Sequence, residues 1–275
     1  MTARICNLSR ICKLLAIAAT LFGIGLPAAA QTPEKIGIVV MHGKGGSPAR
    51  HVNTLADGLE RKGYLVANLE MPWSGRREYD KDVAAAEQEV TAALDSLRNK
   101  GAKKVFLAGH SQGGVFALYY ASKHPVNGLI TVAPGGSVAS NVFREKLGNS
   151  VDLARKMVAD GKGNERTAFQ DYEGAKGMLT VYTTATTYLA WFDPDGAMNQ
   201  VKSSKSLPPG LPVLYVRPTR DYPGLQRIRQ SMYGALPANP LTKMNEPDAD
   251  HLGAPQASID EIARWTAEVM THAKN

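Results

Sequence analysis

Lys103-Lys104-Val105-Phe106-Leu107-Ala108-Gly109-His110-Ser111-Gln112-Gly113-Gly114 organises this chain of 275 residues. An apolar run of strand length leads directly into Gly-x-Ser-x-Gly, and a small-residue helix follows. Such a turn holds its serine at the tip of a sharp strand-to-helix reversal, in strained backbone. Glycines at 109 and 113 let strand and helix pass closely, and Gly114 relieves the first helical turn. The helix N-terminus then sets backbone N–H groups beside the hydroxyl, where negative charge on a reacting oxygen is stabilised.

The first thirty residues read separately. Arg4, Arg10 and Lys13 form a basic start, Leu14 to Leu26 an apolar stretch, and Ala28-Ala29-Ala30 a small-residue cleavage site before Gln31. This pattern predicts a signal peptide over 1–30, removed on export, with a soluble periplasmic or secreted product and no stable membrane insertion. The apolar stretch is shorter than the ~20 residues that span a bilayer, and no second one approaches that length. Cleavage removes both cysteines, Cys6 and Cys12, and lowers the formal net charge from +7 to +4. The mature chain then has no thiol nucleophile, no disulfide and no cysteine metal ligand. Its modest positive charge, without a dense basic cluster, argues against a nucleic-acid partner. Residues 31–275, about 245 in number, suffice for one well-buried α/β domain.

Outward from the Ser111 turn, strands and helices alternate. Ile36 to Met41 is a β-branched run with the composition of a strand buried on both faces. After the loop His42-Gly43-Lys44-Gly45-Gly46, Ser47 and Pro48 predict a helix start, Val52, Leu55, Ala56 and Leu59 its apolar face, and Gly63 its end. Tyr64 to Leu69 is a second strand, and Val83 to Leu97 a helix by apolar spacing. The Ser111 strand is third and Asn127 to Ala133 fourth. This rhythm implies a mostly parallel sheet of about six strands flanked by helices. It breaks over about 135–209, predicted as a helical cap with one helix opening at Ser150. Leu179, Tyr182, Ala185, Leu189 and Phe192 mark another. The sheet resumes at Pro212 to Val216 and ends with Leu241 to Glu246. A last helix carries Ile259, Ile262, Trp265 and Val269 inward.

A serine hydroxyl needs a base to become a nucleophile. Behind a turn of this kind the partners follow in the order Ser, acid, His. Of six histidines, His251 lies where a base belongs, between the last strand and the last helix. His110 is expected to point away from the reacting face, and His42 to support its own loop. Asp221, just beyond the strand 212–216 and thirty residues before His251, is the candidate acid. Its role is to fix the histidine tautomer and stabilise the imidazolium; Asp193, Asp195 and Asp250 compete. The candidate oxyanion donors are the backbone N–H groups of Gln112, directly after the serine, and of Lys44 in the Gly-rich loop. A phosphate-binding loop at 42–46 is disfavoured by spacing. Asp193-Pro194-Asp195-Gly196 hints at a calcium loop without its later ligands, so no metal is assigned.

On these features, from the His-Gly loop at 42–46 through Gly109-His110-Ser111-Gln112-Gly113 and Asp221 to Asp250-His251, the chain resembles the α/β-hydrolase family over about 36–272. The resemblance implies a Ser-His-Asp hydrolase with no cofactor and no metal, working through an acyl-enzyme on Ser111. In two places the chain departs from relatives. It starts almost directly at the strand before the oxyanion loop, and Pro218-Thr219-Arg220 stands where a glycine-containing turn usually precedes the acid. The expected substrate is a small-molecule carboxylic ester or acyl compound. Amide or peptide cleavage, acyl transfer, and non-catalytic ligand binding on the same fold are the alternatives. Trp73, Tyr182, Tyr188, Trp191 and Phe192 are candidate walls of an acyl pocket. Arg76, Arg77, Arg217 and Arg220, which follow strand ends, are candidate attractors for an anionic substrate. The oligomeric state is not specified by any of these features.

Overall fold

β1 (Ile36–Met41) shows why its sequence is apolar throughout. Ile38 and Val40 pack into one hydrophobic cluster, and Val39 and Met41 into a second on the opposite face. Successive strand side chains alternate faces, so a strand covered on both sides needs an apolar residue at every position. The computed structural model in which this is seen describes residues 35–272. The expected signal peptide lies outside them.

The chain continues through α1 (Val52–Arg61), β2 (Leu65–Leu69), α2 (Val83–Asn99), β3 (Lys104–His110), α3 (Gln112–Ala121) and β4 (Gly128–Val132). After an excursion it forms β7 (Val213–Val216), α7 (Pro223–Gly234), β8 (Lys243–Asn245), α8 (Ala254–Ala257) and α9 (Ile259–His272). The excursion holds α4 (Asn141–Ala159), β5 (Arg166–Glu173), β6 (Gly177–Thr184), α5 (Ala185–Phe192) and α6 (Gln200–Lys205). The main sheet has six strands in the order β2-β1-β3-β4-β7-β8, and all its pairings are parallel. This is the expected α/β-hydrolase architecture. Apolar residues of α1, α8 and α9 cover one face, and those of α2, α3 and the excursion cover the other.

Two helix starts differ from expectation. α1 begins at Val52, not at Ser47-Pro48. Residues 47–50 make a turn closed by Arg50 N–H to Ser47 O at 3.1 Å, and His51 precedes the helix with φ 58°. α4 begins at Asn141, where Ser140 Oγ accepts from Phe143 N–H. Ser150 lies within that helix, and its Oγ accepts from Gln170 N–H at 3.0 Å.

The excursion is not purely helical. β5 and β6 form an antiparallel hairpin with Phe169 opposite Val181 and Asp171 opposite Leu179. Phe169, Asp171, Val181 and Thr183 are buried, while Ala168, Gln170, Thr180 and Tyr182 between them are exposed. The i,i+3 spacing of Leu179 and Tyr182 imitates a helix, but the burial follows period 2. The threonines suit a strand, since β-branched side chains lose little rotamer freedom there. Helix begins only at Ala185, where Thr184 Oγ1 caps it by accepting from Thr187 N–H at 3.1 Å.

Candidate active site

β3 ends at His110, α3 begins at Gln112, and Ser111 alone turns the chain, with φ 53° and ψ −118°. Few non-glycine residues hold such a conformation. Here Ser111 N–H donates to Val132 O at 2.9 Å, and its carbonyl accepts from Gly114 N–H at 2.9 Å and Gly135 N–H at 3.2 Å. Two glycines make the turn sterically possible. A Cβ on Gly109 would lie 2.1 Å from Gly113 O, and one on Gly113 would lie 2.6 Å from Met41 O.

The loop after β1 lies against this turn: a Cβ on Gly43 would come 3.0 Å from Ser111 Cβ. His42 secures the loop. Its Nε2 accepts from Met71 N–H at 3.0 Å, which leaves the proton on Nδ1 to donate to Gly43 O at 2.7 Å. Burial pushes the pKa of His42 down, which suits this neutral form. Trp73 Nε1–H donates to His42 O at 2.9 Å, and Gly45 N–H donates to Trp73 O at 2.9 Å. Among the described residues, the backbone N–H groups of Lys44 and Gln112 make no hydrogen bond. Gln112 directly follows Ser111 at the N-terminus of α3, and Lys44 directly follows Gly43, the residue whose added Cβ would meet Ser111. The Gln112 side chain is fixed from behind, its Nε2–H donating to Tyr79 Oη at 3.1 Å.

Asp221 and His251 are brought together by the sheet edge. Beyond β7 and β8 the two tails keep pairing, with Thr219 N–H to Pro247 O and Arg220 N–H to Ala249 O, each at 3.0 Å, and a parallel bridge between Arg220 and Asp250. This zipper delivers Asp221 to His251: Nδ1–H donates to Asp221 Oδ1 at 2.7 Å, and the side chains are only 6% and 5% exposed. Asp221 Oδ1 also accepts from Tyr222 N–H at 2.7 Å, and the Tyr222 ring stacks on His251 at 4.4 Å. With Pro218-Thr219-Arg220 in place of a glycine turn, Asp221 still reaches His251. Asp250 turns to Gly253 N–H, and Asp193 to Asp195 N–H. Ser111 Oγ is not hydrogen-bonded to His251. Contacts of this kind often tighten only when substrate is bound.

His110 does not point away from this cluster. Its Nε2–H donates to His251 O at 2.9 Å, and the two rings lie 4.9 Å apart. Burial, reinforced by the neighbouring His251, pulls its pKa down to about 3. It is a neutral strut linking the serine turn to the loop that carries His251. Sequence spacing carries no signal for this role, because the partner is a backbone carbonyl 141 residues away.

The proposed pocket aromatics are placed otherwise. Trp73, Tyr188, Trp191 and Phe192 are buried core between the excursion and the sheet. Trp73 meets Trp191 edge-on at 5.4 Å and Phe116 at 5.3 Å. Tyr182 is 53% exposed and packs against Arg166 on the outer hairpin face. The four arginines are all paired with carboxylates: Arg76 with Glu70, Arg77 with Glu89 and Asp80, Arg217 with Glu246, and Arg220 with Asp248. Among the described residues, no three or more His, Asp or Glu side chains are grouped to hold a metal ion, and no helix is long and apolar enough to cross a membrane.

A parallel six-stranded sheet, a serine on a positive-φ turn and a buried His–Asp pair beyond the same, C-terminal edge of that sheet define an α/β-hydrolase. The family described as serine aminopeptidase, S33, matches residues 32–172, and the chain belongs to it. A stretch of 132 residues, 46% of the chain, is 29% identical to a probable 1-acylglycerol-3-phosphate O-acyltransferase of Oryza sativa subsp. japonica. That match spans only 30% of the rice protein's length. Solved structures share the fold at low identity. The α/β-hydrolase GrgF from Penicillium sp. sh18 superposes with TM-score 0.64 at 13% identity, over 88% of this chain and 91% of its own. A monoacylglycerol lipase of Paleococcus ferrophilus gives 0.56 at 21%, over 86% and 94%. A carboxyl esterase of Bacillus coagulans gives 0.59 at 15%, over 89% and 91%.

Proposed function

We propose that the chain is a serine hydrolase of carboxylic esters. Ser111 attacks the ester carbonyl while His251 Nε2 takes the hydroxyl proton. Asp221, bonded to Nδ1–H, holds the tautomer that leaves Nε2 free and stabilises the imidazolium. The N–H groups of Lys44 and Gln112 receive the oxyanion. The imidazolium returns its proton to the departing alcohol, leaving an acyl group on Ser111. Water, deprotonated by His251, then releases the acid and restores the serine. The observation that carries this reading is the buried 2.7 Å contact between His251 and Asp221 at the same sheet edge as the strained Ser111 turn.

Amide cleavage is the second reading, favoured by the description of the matched family as serine aminopeptidase. Acyl transfer uses the same acyl-enzyme with an alcohol in place of water. Small or medium acyl chains are proposed for the ester. Export remains part of the proposal, with N-terminal sequencing of the mature product expected to begin near Gln31.

The deciding experiment labels the protein with a fluorophosphonate and maps the modified peptide. An adduct on Ser111, absent in Ser111→Ala, supports the assignment. Unchanged ester turnover by Ser111→Ala removes it. Parallel assays on p-nitrophenyl esters and amino-acid p-nitroanilides separate the two readings.

A further inference from the structure

The side chain of Lys44 is not used by the chemistry above, yet it is only 10% exposed and makes the most buried ion pair of the molecule's described Lys and Arg residues. Its Nζ donates to Asp171 Oδ1 at 2.5 Å and to Tyr172 O at 3.1 Å, both on β5. Asp171 is 2% exposed. The ammonium also lies over the rings of Phe143 and Phe192, at 5.2 and 5.7 Å. Helix α4, strand β5 and helix α5 of the excursion thus enclose one cation that belongs to the loop after β1.

An apolar pair of equal volume would hold these elements together about as well, because desolvation offsets much of the attraction in a buried ion pair. What the pair adds is a fixed direction and distance between loop and hairpin. On its other side the loop is tied by His42 to Met71 and by Gly45 to Trp73. The Lys44 peptide is clasped between a sheet-side anchor and an excursion-side anchor.

We infer that Lys44 is a positioning residue: its side chain fastens the loop to Asp171 of the β5–β6 hairpin, and this holds the Lys44 backbone N–H at the oxyanion position. The catalytic part of this inference rests on the proposed hydrolase reading. The mechanical coupling of loop and hairpin does not. It follows that the excursion is part of the oxyanion apparatus as well as a cover.

The test is a double-mutant cycle with Lys44→Met, Asp171→Asn and the pair, read by ester kinetics and by native-state hydrogen exchange. Asp171 does not touch the reacting atoms. A donor displaced by roughly an ångström costs on the order of 100-fold in rate. Each single variant is therefore expected to lower kcat by about 10- to 100-fold with KM nearly unchanged, as fits a contact made chiefly in the transition state. The pair should be no worse than either single variant, because both remove one coupling. Exchange should rise together in 42–46 and 166–184. Multiplicative losses in the double variant, or a KM-only effect, would overturn the inference. So would exchange that rises in the hairpin while the loop stays protected. Should Lys44→Met not fold, the double variant, which buries no lone charge, and Asp171→Asn carry the comparison. If the wild-type protein neither turns over esters nor labels, the hydrolase reading fails, and the exchange data alone decide whether Lys44 fastens loop to hairpin.

Discussion

His251 Nδ1 and Asp221 Oδ1 lie 2.7 Å apart with both side chains almost fully buried, although the two residues are separated by thirty positions of chain. The contact is set by backbone, since the paired tails beyond β7 and β8 run side by side to that point. Asp221→Asn keeps the shape but lets the amide donate to Nδ1, which moves the imidazole proton to Nε2. A histidine in that tautomer cannot accept from serine. Turnover of a p-nitrophenyl ester should fall about 10⁴-fold with the fold unchanged. A loss below tenfold would show that Asp221 is not the acid.

Acid should destabilise the protein through its buried histidines. The folded pKa of His110 is about 3, against 6.5 ordinarily, and burial lowers that of His42 in the same direction. Below pH 6.5 the unfolded chain gains protons that the folded chain refuses, so this contribution is intact above 6.5 and lost as pH falls toward 3. His110 contributes a slope approaching about 1.4 kcal/mol per pH unit, and His42 adds to it in the same direction. Urea unfolding at pH 7 and pH 5 should differ by about 2 kcal/mol from His110 alone. In His110→Gln the slope should lose about one proton. Equal stability at the two pH values would contradict neutral burial.

Two glycine substitutions should act with opposite sign. An alanine methyl at Gly109 meets the Gly113 carbonyl at 2.1 Å, backbone against backbone, so the turn cannot yield cheaply. Gly109→Ala should destabilise by about 3 kcal/mol or more, in the range of overpacked cores. Gly148 lies within α4 with nothing within 4 Å of an added Cβ. Gly148→Ala should stabilise by about 0.5–1 kcal/mol through helix propensity. Thermal melts of the two variants decide both.

Trp191 ties the excursion to the sheet. It meets Trp73 and Phe116 at 5.4 and 5.5 Å, and its Nε1–H donates to Lys81 O at 2.8 Å. Trp191→Ala should cost about 3–5 kcal/mol by chemical denaturation. A cost under 1 kcal/mol would mean that this aromatic cluster is not the core of the excursion.

The parallel sheet and the serine turn were legible in the chain itself. Runs such as Ile36–Met41 and Val105–Gly109 announce doubly buried strands, and Gly109 and Gly113 announce a close backbone crossing, because both constraints are local. Ser111 stands out by its Gly-x-Ser-x-Gly turn, and Asp221 and His251 by their places after strands, which is also local information; their contact with each other is seen only in the fold. The excursion departs from its helical pattern where two periods overlap: Leu179 and Tyr182 fit a helix by spacing, and only pairing with β5 turns Tyr182 outward. Trp73, Trp191 and Phe192 were equally ambiguous, since an aromatic that lines a pocket and one that fills a core look alike in sequence. The strut from His110 to His251 O and the clasp from Lys44 to Asp171 span 141 and 127 residues. No periodicity or motif encodes such contacts. They exist because the sheet order and the docking of the hairpin bring distant backbone to one edge, and that is decided only when the chain packs.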